Sequence, residues 1–197
     1  MAVLTDLERE LSLKLFKDFS KDYNSNSIAK EVNKTRMGTS KALHSLEAKG
    51  IVKGQTLGKA RFYKFNLESP YAKKTAELLL MDEANQHQRW ADEFKELFQH
   101  VSIAILFGSI IRNEKNAKDA DMLLVYPEKS NNLVNAFIKG KNEILVKKIH
   151  PVKQTKEDLV KSLKKKDEVI LDAIRTGMVL HGFQELVELI AYVRSQE

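Results

Sequence analysis

Two stretches decide the fold of this chain: Val101-Ser-Ile-Ala-Ile-Leu-Phe-Gly-Ser109 and, nine residues later, Asp119-Ala-Asp-Met-Leu-Leu-Val-Tyr126. The first is β-branched and aromatic, which predicts a buried strand that ends at Gly108. Glycine allows a sharp turn and a close backbone approach, and Ser109 supplies a hydroxyl and N–H groups suited to phosphate oxygens. The second stretch predicts another strand, which begins beside a pair of aspartates.

Asp119 and Asp121 are the residues in these stretches that can bind a metal. Side chains alternate along a strand, so the two carboxylates point to the same face, roughly 7 Å apart along the chain. Paired carboxylates bind hard divalent cations, and such cations stabilise the attacking and leaving oxygens in transfer from a triphosphate. The pattern therefore predicts a metal and nucleotide site.

The residues from Gly108 to Glu114 and from Asp119 to Val125 resemble the minimal nucleotidyltransferase family of the polymerase β-like superfamily. The resemblance covers roughly residues 100–150 and implies an α/β domain with a small mixed sheet. It also implies that Gly108 and Ser109 hold the β- and γ-phosphates of an NTP, that Arg112 lies near them, and that Asp119 and Asp121 bind Mg²⁺ (or Mn²⁺). The acceptor classes in this family are proteins, small molecules and RNA ends.

A third carboxylate completes the catalytic set in active members of this family, and the next strand usually supplies it. The segment Glu143–His150 is predicted to be that strand, and its acidic residue is Glu143. The expected catalytic residues are thus Asp119, Asp121 and Glu143. If Glu143 is out of reach, the aspartate pair binds nucleotide and metal without turnover.

The net charge of +6 is confined to the first third of the chain. Residues 1–66 contain 13 Lys and Arg against 7 Asp and Glu, whereas residues 67–197 contain 20 of each. A localised basic excess predicts an anionic partner for that segment, most often nucleic acid.

The same first third shows the pattern of three helices and a hairpin. Apolar spacing predicts a helix from Asp6 to Lys21, a second from Ser27 with Ser25 or Asn26 as its N-cap, and a third that ends at Gly50. Met37, Ala42, Leu43 and Leu46 form the apolar stripe of the third helix. The runs 51–56 and 61–67 predict the two strands of the hairpin.

This order is similar to the winged helix-turn-helix domain, through Ser27–Val32, Ser40–Val52 and the hairpin that follows. The resemblance implies that the third helix enters the major groove of DNA and that the hairpin contacts phosphates. The implied contacts are Arg36, Thr39, Ser40, Lys41 and His44 on the helix, and Lys59 and Arg61 on the hairpin.

The predicted organisation is α+β, with a winged-helix domain at residues 1–68, a helical connector at 69–99 and a nucleotidyltransferase-like domain with C-terminal helices at 100–197. Residues 71–100 contain neither Gly nor Pro, and the stripe that includes Trp90 indicates packing rather than a ligand platform. Leu186, Leu189, Ile190 and Val193 predict a packed helix near the C-terminus.

The composition bears on where in the cell the protein is found. The chain has no cysteine, which excludes disulfides and thiolate zinc sites. Its longest nearly apolar run, 101–111, is shorter than the roughly 18 residues of a membrane span. The acidic N-terminus does not resemble a signal peptide. A cytoplasmic protein without membrane contact is therefore expected.

Other interpretations stay open at this point. The basic segment could be a packing domain with a solvated helix face, and the aspartates could be surface charges after an ordinary turn. A DNA-binding regulator whose C-terminal domain senses nucleotide or forms a homodimer is the main alternative function. A transferase that acts within a toxin and antitoxin pair is a third.

Overall fold

A computed structural model of the chain describes residues 4–196, which divide into two units between Leu79 and Leu80. The fold class is α+β, as predicted, with one antiparallel and one mixed sheet. The point of division falls inside the segment 69–99 that was predicted to connect two domains.

Three helices open the N-terminal unit, and each begins at a side chain that caps its first turn. They are α1 (Asp6–Lys17), α2 (Ser25–Glu31) and α3 (Arg36–Ala48). Thr5, Asn24 and Thr35 accept hydrogen bonds from backbone N–H groups that lack a partner within the helix. The three predicted helices are confirmed, but the first ends at Lys17 rather than at Lys21. The predicted cap of the second helix is wrong, because the Asn24 side chain accepts from the N–H groups of Asn26 and Ser27.

A three-stranded antiparallel sheet completes this unit. Its strands are β1 (Tyr23–Asn24), β2 (Val52–Leu57) and β3 (Ala60–Phe65), in the order β1-β3-β2. The pairing of Leu57 with Ala60 leaves Gly58 and Lys59 at the turn, which confirms the predicted hairpin. Gly58 has a φ of 60°, a conformation that glycine adopts without strain.

The core of the N-terminal unit lies between its helices and its sheet. Leu11 and Phe16 of α1 and Leu43 and Leu46 of α3 are fully buried. The Phe16 ring meets that of Phe65 edge to face at 5.4 Å. The apolar stripes of α1 and α3 therefore meet as their periodicity predicts.

Helices also fill the segment between the two sheets, as predicted. They are α4 (Pro70–Asn85), α5 (Gln88–Glu93) and a 3₁₀ turn (Leu97–Gln99). Trp90 is buried in the core of the C-terminal unit and stacks on Phe94 at 6.0 Å, so it is a packing residue. None of the helices within residues 4–196 is both long and apolar enough to cross a bilayer.

The C-terminal unit is built on a four-stranded mixed sheet. Its strands are β4 (Ile103–Phe107), β5 (Asp119–Val125), β6 (Lys148–Gln154) and β7 (Met178–His181), in the order β6-β5-β4-β7. β4 runs antiparallel to β5 and β7, whereas β5 and β6 are parallel. The two strands predicted around Gly108 and Asp119 are therefore confirmed as neighbours at the centre of the sheet.

Besides α5, whose Trp90 lies in the core of this unit, five further helices accompany the sheet in the described chain. They are α6 (Ser109–Arg112), α7 (Asn131–Ile144), α8 (Lys156–Lys164), α9 (Glu168–Thr176) and α10 (Phe183–Arg194). α10 buries the four apolar residues that predicted it.

The strand predicted from Glu143 to His150 is wrong at its start. Val134 and Ile138 bury the apolar face of α7, and this helix continues through Glu143 to Ile144 before the extended residue Leu145 ends it. β6 begins only at Lys148. Glu143 is therefore an exposed helical residue rather than the first residue of a strand.

Candidate functional site

Asp119 and Asp121 lie at the start of β5, on the same face of the sheet as predicted. Each is half-buried, while Ala120 between them is buried on the opposite face. Asp121 pairs with Phe107 of β4 on one side and with His150 of β6 on the other. The carboxylates thus sit where β4 ends and β6 begins.

His150 joins these two carboxylates in a cluster that the sequence did not reveal. One ligand atom from each of Asp119, Asp121 and His150 lies within 4.8 Å of the other two. The His150 Nδ1 is 3.3 Å from the Asp119 Oδ2. Asp119, Asp121 and His150 could together hold a cation, and Glu143 is not a member of this group. The alternation of polar and apolar residues in Lys148-Ile149-His150 is the sequence signal that could have indicated a strand with an outward histidine.

The electrostatic environment of Asp121 suits a cation. Burial raises the pKa of the Asp121 carboxyl, and the negative charge of Asp119 raises it further, while His150 and Arg112 act in the opposite direction. Two carboxylates held this close repel each other. A shared divalent cation relieves that repulsion.

Gly108 lies so close to the Asp121 carboxylate that a side chain at position 108 would overlap with it. Its φ is 81°, and a Cβ built on it would lie 2.3 Å from the Asp121 Oδ2. Ser109 follows as the first residue of the four-residue helix α6, and Arg112 ends that helix as an exposed side chain. The structure therefore brings Gly108, Asp119 and Asp121 together.

The loop that leads into β5 is held by hydrogen bonds from a lysine just before β6. Lys147 donates hydrogen bonds to the carbonyls of Glu114 and Ala117, the second at 3.0 Å. Lys148 donates to the Leu145 carbonyl at 3.0 Å. The ammonium groups of both lysines are thus engaged by backbone carbonyls.

The exposed face of α3 forms a shallow concave surface in the N-terminal unit. It is lined by Arg36, Met37, Ser40, Lys41 and His44. The His44 Nδ1 lies 2.7 Å from the Ser40 carbonyl oxygen, which fixes the ring along the helix.

Two predictions for α3 are wrong, because the structure exchanges the predicted faces of Thr39 and Met37. Thr39 was expected to be exposed but is fully buried, and Met37 was expected in the apolar stripe but is 71% exposed. Thr39 lies four residues before Leu43 and seven before Leu46, so the helical repeat places it on the buried face. Met37 then falls on the outer face. Arg36, Ser40, Lys41 and His44 stay on the candidate surface, and Thr39 leaves it.

The cations of the N-terminal unit differ in whether a carboxylate neutralises them. Arg36, Lys41 and Lys59 have no carboxylate within ion-pair distance among residues 4–196. The same is true of Lys30 in the last turn of α2. Arg61 is different, because it pairs with Glu47 at 2.5 Å and donates to the Thr56 hydroxyl at 3.3 Å. Its guanidinium is thus already engaged within the hairpin and α3.

No protein-family model matches this chain, and comparison with curated proteins and with solved structures gives no significant match.

Proposed function

We propose that this chain is a nucleotidyltransferase-like protein that transfers a nucleotide from an NTP with a divalent cation and binds DNA through its N-terminal unit. The observation that carries the proposal is the convergence of Asp119, Asp121 and His150 beside the tight turn at Gly108. The acceptor belongs to one of the classes expected above: a protein, a small molecule or an RNA end.

The donor set fits a divalent cation. Two carboxylate oxygens and one imidazole nitrogen are ligands that Mn²⁺, and less readily Mg²⁺, accept in proteins. When bound, such a cation supplies neutralisation of the triphosphate and alignment of the attacking and leaving oxygens. Asp119, Asp121 and His150 are the residues that would hold it.

The remaining residues around the turn bind and orient the triphosphate. The backbone of Gly108 and Ser109 offers N–H groups that suit phosphate oxygens. Arg112, exposed and close enough to lower the pKa of Asp121, contributes a permanent positive charge near the cluster. Binding of an anionic phosphate is therefore favoured where the cluster, the turn and Arg112 meet.

Pyrophosphate release tests the transfer reaction whatever the acceptor is. We expect the protein to release pyrophosphate from at least one of ATP, CTP, GTP and UTP in the presence of Mg²⁺ or Mn²⁺, and to pass label from the α-phosphate to an acceptor in a cell extract. Asp119→Asn should abolish both, because it removes a ligand charge. Asp92→Asn is the matched control, since Asp92 is an exposed carboxylate of α5 outside the cluster. Equal release by Asp119→Asn and the wild type would contradict the proposal.

A second candidate function is favoured by His150 itself. The position beside Asp121 on the neighbouring strand carries an imidazole instead of a third carboxylate, which leaves fewer charges for a second metal. A DNA-binding regulator that binds NTP and cation without turnover fits this donor set. Equilibrium dialysis separates the two functions, because the regulator retains labelled NTP at the cluster while releasing no pyrophosphate.

DNA binding by the N-terminal unit is expected to depend on Arg36 and Lys41 of α3, which have no carboxylate within ion-pair distance among the described residues. Lys41→Gln should weaken binding to random duplex and lower the slope of log K against log salt by roughly one unit, because one phosphate contact is lost. Gel shifts or fluorescence anisotropy at several salt concentrations measure this slope.

Lys53→Gln provides the matched control for that measurement. Lys53 lies on β2 of the same unit, but its ammonium is 2.5 Å from the Glu68 carboxylate. Its loss should leave the slope nearly unchanged. Binding that is insensitive to salt in the wild type would remove the DNA assignment altogether.

A further inference from the structure

We infer that His150 makes the cluster a site for a single cation that prefers Mn²⁺ to Mg²⁺, an inference that rests on the nucleotide function proposed above. It names the metal class of that site from the chemistry of its third ligand.

The donor positions are set by the strand pairing, which brings one ligand atom of each residue within 4.8 Å of the other two. His150 is the direct partner of Asp121 in the parallel β5–β6 ladder. Neighbouring ligands of an octahedral ion with bonds of about 2.1 Å lie about 3 Å apart. The 3.3 Å between the His150 Nδ1 and the Asp119 Oδ2 is close to that separation.

The charge of the cluster matches one divalent ion. Asp119 and Asp121 contribute two negative charges, and a metal-binding imidazole is neutral. No third carboxylate belongs to the group within the described part of the chain. One divalent cation therefore neutralises the ligands, and a second would find no ligand charge to balance it before a nucleotide binds.

The imidazole nitrogen decides which cation is preferred. Mg²⁺ takes oxygen ligands and water almost exclusively, whereas first-row transition ions accept imidazole together with carboxylates. Mn²⁺ suits both kinds of donor in this set. With a third carboxylate at position 150, the site would bind Mn²⁺ and Mg²⁺ with similar affinity or would suit Mg²⁺.

The test measures metal binding directly, on the full chain without nucleotide. Mn²⁺ is titrated and followed by electron paramagnetic resonance, Mg²⁺ is added as competitor, and pulsed spectra are searched for the nitrogen modulation of a coordinated imidazole. We expect one Mn²⁺ per chain, held at least about tenfold more tightly than Mg²⁺, with clear nitrogen modulation.

Two variants make the result specific. His150→Asp should abolish the nitrogen modulation and reduce the preference for Mn²⁺ over Mg²⁺ by at least about tenfold. His87→Gln is the matched control, because His87 is exposed before α5 and lies outside the cluster. It should bind Mn²⁺ like the wild type, and far-ultraviolet circular dichroism verifies that both variants are folded.

The outcomes separate this inference from the proposed function. Absence of Mn²⁺ binding, or Mn²⁺ bound without nitrogen modulation and with no preference over Mg²⁺, overturns the inference even if NTP is turned over. Nitrogen modulation that disappears in His150→Asp supports it even if no NTP is bound or hydrolysed. In that second case only the nucleotide function fails.

Discussion

Alanine at position 108 is expected to remove divalent-cation binding almost as completely as the loss of Asp121 itself. Its Cβ would lie 2.3 Å from the Asp121 Oδ2, so the carboxylate must leave the position in which it forms the cluster with Asp119 and His150. A displacement of about 1 Å at such a site costs on the order of 100-fold in function, and we expect a loss of Mn²⁺ affinity of about that size. Titration calorimetry or paramagnetic resonance measures the affinity.

The same substitution also strains the backbone, so its control must separate folding from binding. A φ of 81° costs a residue with a side chain about 1–3 kcal/mol, which the C-terminal unit should survive. Gly140→Ala is the matched control, because a Cβ there would meet no described atom within 4 Å apart from the adjacent residues and the backbone of its own helix. Gly140 lies in α7, so alanine should stabilise that helix by roughly 0.5–1 kcal/mol without changing the Mn²⁺ affinity. Wild-type affinity in folded Gly108→Ala would show that this contact does not position Asp121.

Replacement of Glu8 by glutamine should lower the unfolding free energy of the N-terminal unit by about 3 kcal/mol at neutral pH. Glu8 is 3% exposed. Its carboxylate accepts from the Lys49 ammonium at 2.6 Å and from the Thr5 N–H at 2.8 Å. Burial raises the pKa of Glu8, but the hydrogen bonds of Lys49, Ser45 and Thr5 outweigh it and lower the pKa to about 2. The charged carboxylate thus links the start of α1 to the end of α3.

The pH dependence of this contribution follows from the direction of the shift. The folded pKa of about 2 lies below the ordinary value of 4.5, so the unfolded chain binds more protons between these values. The stabilisation by Glu8 is complete above about pH 4.5 and disappears as the pH falls towards 2. The difference between the wild type and Glu8→Gln should therefore shrink over that range.

Hydrogen exchange of the α1 and α3 amides measures the effect inside the full chain. Glu68→Gln is the matched control, because the Glu68 carboxylate also accepts from a lysine at 2.5 Å but its side chain is 84% exposed. An exposed pair contributes at most about 1 kcal/mol. Equal losses from the two substitutions would show that burial of Glu8 does not matter.

Local periodicity was sufficient to predict the three helices and the hairpin of the N-terminal unit and, in the C-terminal unit, β4, β5 and α10, whereas α7, α8, α9 and β7 were not predicted. The helices around Leu11 and Leu43 and the strands that flank Gly108 all carry their apolar repeat in consecutive residues. The two aspartates were predictable for the same reason, since their spacing of two along a strand fixes a common face.

Features that depend on pairing between distant segments were not predictable in this way. His150 enters the cluster only because β6 is in register with β5, and no local pattern near Asp121 encodes that register. The sequence around Arg61 predicts an exposed cation in a hairpin, but the fold places the Glu47 carboxylate beside it. Met37 and Thr39 were misassigned for a different reason: they were assigned by residue type, although the helical repeat of Leu43 and Leu46 places Thr39 on the buried face.

Because β6 is an edge strand of the sheet, a cation in the cluster would also affect how firmly this strand is attached. Within residues 4–196 β6 pairs with β5 alone, so its attachment depends on a single ladder and on the packing of nearby helices. An edge strand separates from its sheet more easily than a central strand does, because it is held by one ladder of hydrogen bonds. A cation shared by Asp121 and His150 would clamp the outermost strand to its neighbour, and its binding free energy would be added to that attachment. Depletion of the cation would then loosen the border of the sheet as well as empty the site.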